Sequence, residues 1–272
     1  MTDLADREWR LIREESWDGP TNMALDEVAA ETVVSGGPRT IRVYRWEPST
    51  LSLGYHQEPE TIDWGYAERE GITVTRRPTG GGGIYHDSVG DISYSIVAPG
   101  GELPGKLIDS YHLLCEPILE AFSRMGVDAR FVDEPRPEIH HPACYLRALH
   151  PAHDVVAGAE SRKVSGNAQY RQREAVIQHG SLTYRVRTRP HLAVFADHDV
   201  SPETFENRVT GIYEESGVPR DEAVTALEAA LSEWADAEEG SWTGGELERA
   251  EEIARAKYAD ERWTRERVDP TG

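Results

Sequence analysis

Four consecutive glycines between two predicted strands constrain the fold of this chain more than any other stretch. The run Gly80–Gly83 follows alternating residues at 72–75 and precedes a second alternating pattern at 91–97. Four glycines cost backbone entropy and add no packing, so chains tolerate them where the backbone approaches a ligand closely or adopts positive φ. Successive N–H groups in such a loop can hold phosphate or carboxylate oxygens, and Arg76 and Arg77 add positive charge beside it. The run predicts either an anion-binding loop or a flexible hairpin turn, and it matches neither the P-loop nor the Rossmann glycine fingerprint.

The balance of charges argues against general nucleic-acid binding. The 272 residues carry 49 acidic and 29 basic side chains, a formal net charge of −20, whereas nucleic-acid-binding domains are basic. Lysine occurs only at Lys106, Lys163 and Lys257, so arginine supplies most of the positive charge. Abundant Asp and Glu with little Lys are typical of a salt-adapted surface, on which screened charge keeps the protein hydrated. The composition predicts a halophilic protein, with an ordinary acidic enzyme as the alternative.

Three further features predict a cytoplasmic protein with no membrane partner. No apolar run is long enough to span a bilayer. Residues 1–6 lack the basic and apolar regions of a signal peptide. The two cysteines, Cys115 and Cys144, are too few for a disulfide framework.

Strand patterns dominate the first two-thirds of the chain with helices interspersed, which predicts an α+β fold in one large domain or in one domain with an appendage. Cys115 lies on the apolar face of a long predicted helix, which indicates a core cysteine. The strands at 40–46 and 51–55 are predicted to pair as a hairpin. Alternating apolar residues and turn signals predict strands at 8–13, 40–46, 51–55, 72–75, 91–97, 127–132, 154–157, 162–164 and 175–184. Helical periodicity predicts helices at 23–32, 63–70, 107–125, 221–235 and 245–258.

The loop at 138–153 concentrates groups that can bind a metal or act as a nucleophile. It holds His140, His141, Cys144, His150 and His153. A Cys/His cluster suggests zinc, although this spacing fits no familiar structural site. Cys144 could instead be a nucleophile activated by its neighbours, or a surface cysteine without a role. The residues alone leave these three interpretations open.

Lys163 is the second candidate for chemistry, because a compact ammonium stands here in a chain that nearly always uses arginine. Such a group can hold a carbonyl or phosphate oxygen as charge develops in an acyl transfer. We expect it where a strand passes into a loop, and the alternative is a solvated surface lysine. The polar clusters His86-Asp87 and Gln178–Ser181 remain, although a single histidine at a strand end is more often structural.

Several ordered motifs resemble the lipoate–protein ligase and octanoyltransferase family. The run from Arg76 to Asp87 is similar to its RRxTGGGAVxHD loop, and Lys163–Ala168 resembles its lysine segment, K-V/I-S/A-G-S/N-A. Four shorter matches follow the same order as in the family. Asn22–Glu27 resembles its N-M/L-A-L-D/E-E helix, and Leu53–Gln57 resembles its GxxQ strand end. Gln178–Leu182 resembles its HG-S/T-L strand, and Tyr258 with Trp263 resembles a motif near the end of the shorter members.

The resemblance implies a mixed β-sheet flanked by helices, like the catalytic domain of biotin–protein ligases, which is class II synthetase-like. It places an acyl-transferring catalytic domain at residues 1–212 and a short helical C-terminal extension at 213–272. The larger ligases carry a separate accessory domain, and about 60 residues are too few for one with its own core. A ligase of this length is therefore expected to need a separate accessory protein.

The family attaches lipoyl or octanoyl groups in amide linkage to one lysine of a lipoyl domain. The implied acceptors are the lipoyl domains of 2-oxoacid dehydrogenase acyltransferase subunits or the glycine-cleavage H protein. Ligases use ATP and Mg²⁺ to form lipoyl-AMP, whereas transferases take octanoate from an acyl carrier protein through a cysteine thioester, without ATP. A lipoate-binding accessory protein without activity is a third possibility.

The motifs favour the ATP-dependent ligase, because cysteine-dependent transferases more often carry an arginine at the third glycine, here Gly82. Cys144 points the other way, since it stands where those transferases place their nucleophile. By resemblance, Lys163 and Cys144 are the catalytic candidates, and Asp87 and Asp154 are the Mg²⁺ candidates. The residues expected to enclose the acyl group and a nucleotide are Arg76, Arg77, Thr79, Gly80, Gly81, Gly82, Gly83, Tyr85, His86, Ser165, Gly166, Asn167, Ala168, His179 and Gly180.

Overall fold

A computed structural model describes residues 7–172 and 174–270. Residues 1–6, on which the signal-peptide expectation rests, lie outside these ranges. The strands of the described chain are β1 (Trp9–Trp17), β2 (Arg39–Trp46), β3 (Thr50–Leu53), β4 (Thr73–Arg76), β5 (Ile84–His86), β6 (Asp91–Pro99), β7 (Ala129–Phe131), β8 (Asp154–Ala157), β9 (Arg162–Arg171), β10 (Ala175–Thr183) and β11 (Glu238–Glu239).

The strands form two sheets. The larger has eight strands in the order β11-β1-β2-β6-β10-β9-β8-β7, and the smaller has three in the order β4-β3-β5. Both sheets are mixed: β1 runs parallel to β2 and β11, β3 runs parallel to β4, and the other pairs are antiparallel.

Helices cover both faces of the larger sheet. Along β2, Ile41 and Val43 join a core cluster with residues of α3 (Leu107–Arg124) and α7 (Arg220–Ala235). Tyr44 and Trp46 join a second cluster, with residues of α1 (Gly19–Val34) and α8 (Gly244–Ile253). This alternation is the period of a strand buried on both faces, and it confirms the expected mixed sheet flanked by helices. The helices are α1 (Gly19–Val34), α2 (Trp64–Arg69), α3 (Leu107–Arg124), α4 (Thr188–Ala193), α5 (Pro202–Arg208), α6 (Ile212–Ser216), α7 (Arg220–Ala235) and α8 (Gly244–Ile253).

The predicted hairpin of 40–46 with 51–55 is wrong. The first segment is β2 of the larger sheet, and the second is β3 of the smaller one. Leu51 and Leu53 pack in a separate core cluster with Ile62 and Tyr85, so the two neighbouring strands bury their side chains in different cores. Two strands that are close in sequence usually pair as a hairpin. Here their side chains enter different cores, and the strands therefore belong to different sheets.

The lysine segment lies inside a strand, and the predicted change from strand to loop after Val164 is wrong. β9 continues to Arg171 and pairs with β10 from Leu182 to Val176. Gly166, Asn167 and Ala168 lack the apolar alternation that indicates a strand in the sequence. Their strand conformation is imposed by pairing with β10.

Residues after 212 pack against the rest of the chain. β11 pairs with β1 in the larger sheet. The indole N–H of Trp263, in a π-helical turn at Arg262–Glu266, donates to the carbonyl of Arg76 at 2.7 Å. The division of the chain at residue 212 stays a prediction. Among the described residues, no helix is both long and apolar enough to cross a membrane.

Candidate active site

A cavity of about 490 Å³ lies where the two sheets meet the loop that carries Cys144. This volume is typical of small-molecule sites. The residues at its outer end, among them Glu138 and His150, are exposed, whereas Met23, Tyr44 and Trp46 at the inner end are almost fully buried. The cavity is therefore a pocket with a polar mouth and an apolar floor.

A β-bulge turns Lys163 toward this cavity. Val155 of β8 pairs with Ser165, but the next residue, Val156, pairs with Lys163, so β9 contains one extra residue. A bulge re-aims the side chains next to it. The Nζ atom of Lys163 lies 2.7 Å from Oδ1 of Asp154, donates to the Cys144 carbonyl at 3.1 Å and lies 3.9 Å from Sγ of Cys144. The surface-lysine alternative is excluded, since Lys163 is only 2% exposed.

Lys163 and Asp154 form a buried ion pair. Burial opposes the charge on both groups, but the Asp154 carboxylate outweighs it and raises the pKa of Lys163 above its usual value. Likewise, the Lys163 ammonium and His153 overcome burial and hold the pKa of Asp154 well below its usual range. The second carboxylate oxygen of Asp154 accepts the His150 N–H at 2.8 Å. Lys163 is therefore a fixed cation in the pocket wall.

The glycine run packs edge to edge against the segment that carries Cys144. The Gly83 N–H donates to the Pro142 carbonyl at 2.7 Å, and the Cys144 N–H donates to the Gly83 carbonyl at 2.9 Å. A Cβ on Gly82 would lie 2.6 Å from the Pro142 oxygen and 2.9 Å from the Cys144 nitrogen. The glycine at position 82 is thus required by the close approach of two backbones, which argues against a freely exposed hairpin turn.

The two adjacent arginines have different surroundings. Arg77 lines the cavity and donates to the carbonyls of Ser52, Gly80 and Gly82 at 2.7–2.8 Å. Burial lowers its pKa to about 10, against the opposing influence of Cys144. Arg76 does not line the cavity, because its guanidinium donates to carbonyls of residues 54–57 and 263–264 behind the glycine run.

A buried hydrogen-bonded chain lies at the cavity wall. His86 Nδ1 lies 2.8 Å from Asp91, its Nε2 lies 3.0 Å from Ser52 Oγ, and its ring stacks on Trp46 at 4.1 Å. Burial lowers the pKa of His86 despite the Asp91 carboxylate, so the imidazole is neutral at about pH 7. A second histidine, His179, bonds to Thr79 Oγ1 at 2.8 Å.

The remaining predicted residues divide into two groups. Gly166, Asn167, Ala168, His179 and Gly180 line the cavity together with His86, Gly80 and Gly81. The other predicted residues do not line it: Thr79, Gly82, Gly83, Tyr85, Asp87 and Ser165. Alternation along β5 turns Tyr85 to the opposite side from Ile84 and His86, and Asp87 is engaged by the N–H groups of Val89 and Gly90 at 3.1 and 2.8 Å.

The two residues predicted to hold Mg²⁺ lie in different surroundings. Asp154 faces the cavity in its ion pair, while Asp87 caps a turn elsewhere. Within residues 7–172 and 174–270, no three His, Cys, Asp or Glu side chains are arranged to hold a metal ion. Of the loop histidines, His150 and His153 line the mouth with Cys144, whereas His141 pairs with Glu138 at the surface.

Sequence reasoning missed several pocket residues. Ser52, Trp46 and Tyr111 line the cavity without any motif to mark them. Arg147 also lines it, and its Cδ lies 3.0 Å from the position of a Cβ on Gly82. The short separation of Arg147 from Cys144 was the only available signal.

The comparisons with known proteins agree with this geometry. Residues 18–232 match the family model of the lipoyl protein ligase A/B catalytic domain. The chain is 31% identical to octanoyltransferase LipM of Geobacillus kaustophilus (strain HTA426) over 281 residues, covering 96% of this chain and 99% of that protein. It is 32% identical to octanoyltransferase LipM of Kyrpidia tusciae over 276 residues, covering 94% and 97%.

Solved structures show the same fold. The structure of lipoate-protein ligase A bound with ATP matches with a TM-score of 0.78 at 26% identity, covering 96% of this chain and 100% of that one. A bi-partite lipoate protein ligase from Thermoplasma acidophilum, studied with its E2 lipoyl domain, matches with a TM-score of 0.80 at 24% identity, covering 96% and 98%. The chain therefore belongs to the lipoate–protein ligase and octanoyltransferase family, the enzymes of protein lipoylation.

Proposed function

We propose that this protein is a cysteine-dependent octanoyltransferase that moves an octanoyl group from acyl carrier protein to the target lysine of a lipoyl domain. One observation carries the proposal: Sγ of Cys144 lies 3.9 Å from the Lys163 ammonium, in one pocket. The similarity along nearly the whole chain to octanoyltransferases LipM supports it. This assignment replaces the ATP-dependent ligase that the glycine motif favoured.

In the first step, the Cys144 thiolate attacks the carbonyl carbon of the octanoyl thioester. A new C–S bond forms, the bond to the carrier thiolate breaks, and the carrier thiolate takes up a proton from solvent. The fixed charge of Lys163 stabilises the thiolate and the oxyanion that develops on the carbonyl oxygen. Two of its three N–H donors bond to Asp154 and the Cys144 carbonyl, and the third, which faces Sγ of Cys144, can serve this oxygen.

In the second step, the neutral ε-amine of the acceptor lysine attacks the Cys144 thioester. An amide bond forms, the C–S bond breaks, and the amine releases one proton to solvent as the thiolate of Cys144 returns. Because the pKa of Lys163 is raised by its partner, this lysine stays charged and is a stabilising group for both steps. His150 and His153 line the mouth, where we expect the acceptor lysine to enter.

Several groups that the ligase interpretation assigned to phosphate or Mg²⁺ are engaged within the protein. Arg77 directs its N–H donors to protein oxygens, and the Gly83 N–H donates to Pro142. Asp154 is neutralised by Lys163. A triphosphate requires free cationic donors and a divalent ion requires free carboxylates. An acyl thioester requires neither, and the apolar floor at Met23 and Trp46 suits an eight-carbon chain.

The test is to incubate the protein with a lipoyl domain and either octanoyl-acyl carrier protein or lipoate with ATP and Mg²⁺. We expect a mass increase of one octanoyl group on Cys144 with the first donor, followed by its appearance on the lipoyl domain. Cys144→Ser should abolish transfer, whereas Cys115→Ser, which alters the buried cysteine, should retain it. ATP-dependent lipoylation that survives Cys144→Ser would overturn the proposal in favour of a ligase.

A further inference from the structure

Among the arginines that the structure describes, Arg77 is the one whose side-chain hydrogen bonds reach the glycine run. Its side chain is 3% exposed. One of its terminal nitrogens donates to the carbonyls of both Gly80 and Gly82, at 2.8 and 2.7 Å, and its Nε donates to Thr79 Oγ1 at 3.0 Å. The planar fork of a guanidinium can hold several oxygens in a fixed arrangement, which an ammonium cannot. Arg77 therefore determines the path of residues 79–82.

This path ends at the nucleophile. Gly82 is followed by Gly83, whose carbonyl accepts the Cys144 N–H at 2.9 Å and whose N–H donates to Pro142 at 2.7 Å. The space between Gly82 and the Cys144 nitrogen is too small for a methyl group. A shift of the Gly82 carbonyl is thus transmitted to the Cys144 backbone, and so to the distance between Sγ and Lys163.

Two histidine–aspartate pairs hold the groups to which Arg77 donates. Thr79 Oγ1 bonds to His179 at 2.8 Å, and His179 Nδ1 lies 3.5 Å from Asp26 on α1. Ser52, whose carbonyl accepts from Arg77 at 2.7 Å, bonds through Oγ to His86. His86 in turn bonds to Asp91 at 2.8 Å. The guanidinium is thus fixed from two sides by buried polar groups of both sheets.

Arg77 has no carboxylate partner in the part of the chain that the structure describes. None of the described Asp or Glu oxygens lies within ion-pair distance of it, whereas Lys163 is paired with Asp154 at 2.7 Å. Carbonyl and hydroxyl dipoles solvate this buried charge. A carboxylate partner would compete with the glycine carbonyls for the same donors, so its absence leaves the guanidinium to the loop.

We infer that Arg77 is a positioning residue for Cys144: it clamps the glycine run and thereby keeps the thiol beside Lys163. This inference rests on the proposed role of Cys144 as the nucleophile. It assigns Arg77 a task inside the protein in place of the expected contact with a substrate phosphate.

Arg76 provides a matched control, because it is adjacent, equally buried and also bonded to backbone carbonyls, but outside the cavity. The variants are Arg77→Gln and Arg77→Lys, compared with Arg76→Gln and Arg76→Lys. The first readout is the rate at which iodoacetamide alkylates Cys144, measured by peptide mass spectrometry. The second is the single-turnover rate of Cys144 acylation by octanoyl-acyl carrier protein. Thermal unfolding fixes a temperature at which every variant is folded.

We expect the rate of Cys144 acylation to fall about 100-fold in Arg77→Gln, because a displacement of roughly 1 Å at a reacting atom has an effect of about this size. Arg77→Lys should recover only part of this, about tenfold, because an ammonium lacks the fork. Alkylation should fall in the same order, while Arg76 variants lose thermal stability but keep both rates within about twofold of wild type. If Arg77→Gln does not fold, Thr79→Val, which removes the Nε acceptor, provides the comparison and should slow both reactions.

Equal rates in wild type and Arg77→Lys, or equal losses in the Arg76 and Arg77 pairs, would overturn the inference. Absence of any acyl-thioester in the wild-type protein would instead overturn the proposed function. The alkylation rates would still decide whether Arg77 positions the thiol, so the two failures are distinguishable.

Discussion

The Nζ atom of Lys163 lies 3.9 Å from the Sγ atom of Cys144, across the mouth of a pocket whose floor is apolar. The two residues come from different kinds of structure. Lys163 is held in a strand by a β-bulge and an ion pair, whereas Cys144 begins a short 3₁₀ turn that is paired to the glycine run. This arrangement combines a rigid cation with a thiol on a loop that approaches it edge to edge.

Replacing Lys163 by alanine should remove activity and stability together. The change leaves the buried Asp154 carboxylate without its ammonium partner, and breaking a buried ion pair typically costs about 3–5 kcal/mol. Lys257→Ala is the control, because that lysine forms a similar part-buried pair with Glu27 at 2.6 Å, away from the cavity. We expect urea unfolding to show a loss for both variants, and octanoyl transfer to be abolished only in Lys163→Ala. Retained transfer in Lys163→Ala would contradict the assigned role.

The same ion pair predicts how stability depends on pH. The folded-state pKa of Asp154 lies below its usual value of 3.8, so at low pH the unfolded chain takes up the proton first. The contribution of the ion pair to the free energy of unfolding is present above the usual Asp pKa of 3.8, and it is lost as the pH falls through the folded-state pKa of Asp154. At the other end, the raised pKa of Lys163 means that the contribution is complete below its usual value of 10.5 and is lost as pH rises through the folded-state value.

Urea unfolding of wild type and Asp154→Asn between pH about 3 and about 9 measures this effect. The difference in unfolding free energy should be constant from about pH 5 to about pH 9 and should shrink below about pH 4. A difference that grows on acidification would show that Asp154 is not ionised in the folded protein.

Gly82 and Gly80 offer a matched pair within one loop. A Cβ on Gly82 would lie 2.6 Å from the Pro142 oxygen, whereas a Cβ on Gly80 would meet nothing within 4 Å. Gly82→Ala should lower the free energy of unfolding by about 1–3 kcal/mol through overpacking. Gly80→Ala should change it by no more than about 1 kcal/mol. Chemical denaturation of the two variants checks this, and similar losses would mean that the two loops are not in close contact.

The two cysteines should react very differently. Cys115 lies on α3, fully buried, and burial raises its pKa to about 12, whereas Cys144 is half-buried at the pocket. The thiolate is the reactive form, so iodoacetamide at pH about 7.5 should label Cys144 and spare Cys115 in the folded protein. Peptide mass spectrometry gives the result for each site. Labelling of both at equal rates would argue that α3 opens readily.

The charge of the chain predicts a dependence on salt. A net charge of −20 repels itself in the compact state, and added salt screens this repulsion. Raising KCl from about 0.1 M to about 2 M should therefore raise the melting temperature, measured by circular dichroism. A melting temperature that falls with salt would favour an ordinary acidic enzyme over a halophilic one.

Much of the fold followed from local pattern. The helix at α3 and the strands at β6 and β10 were predicted close to their observed bounds, because their apolar residues recur with the period of one element. The strand pairing was not predicted correctly, since β2 and β3 are neighbours in sequence but belong to different sheets. The period of the apolar residues predicts the type of element, whereas the pairing of a strand depends on which core its side chains enter.

The order of the glycine, lysine and histidine motifs was sufficient, by itself, to identify the family and to name Lys163 and Cys144 as candidates, because each motif is a contiguous run of residue types. The roles of the members required the tertiary structure. The sequence does not distinguish Arg76 from Arg77. In the structure, Arg76 donates to carbonyls behind the glycine run, whereas Arg77 faces the pocket. Asp87 and Asp154 look alike too, yet one caps a turn and the other neutralises Lys163. The physical reason is that a side chain's role depends on where its donors and acceptors find partners, and those partners lie far away in the chain.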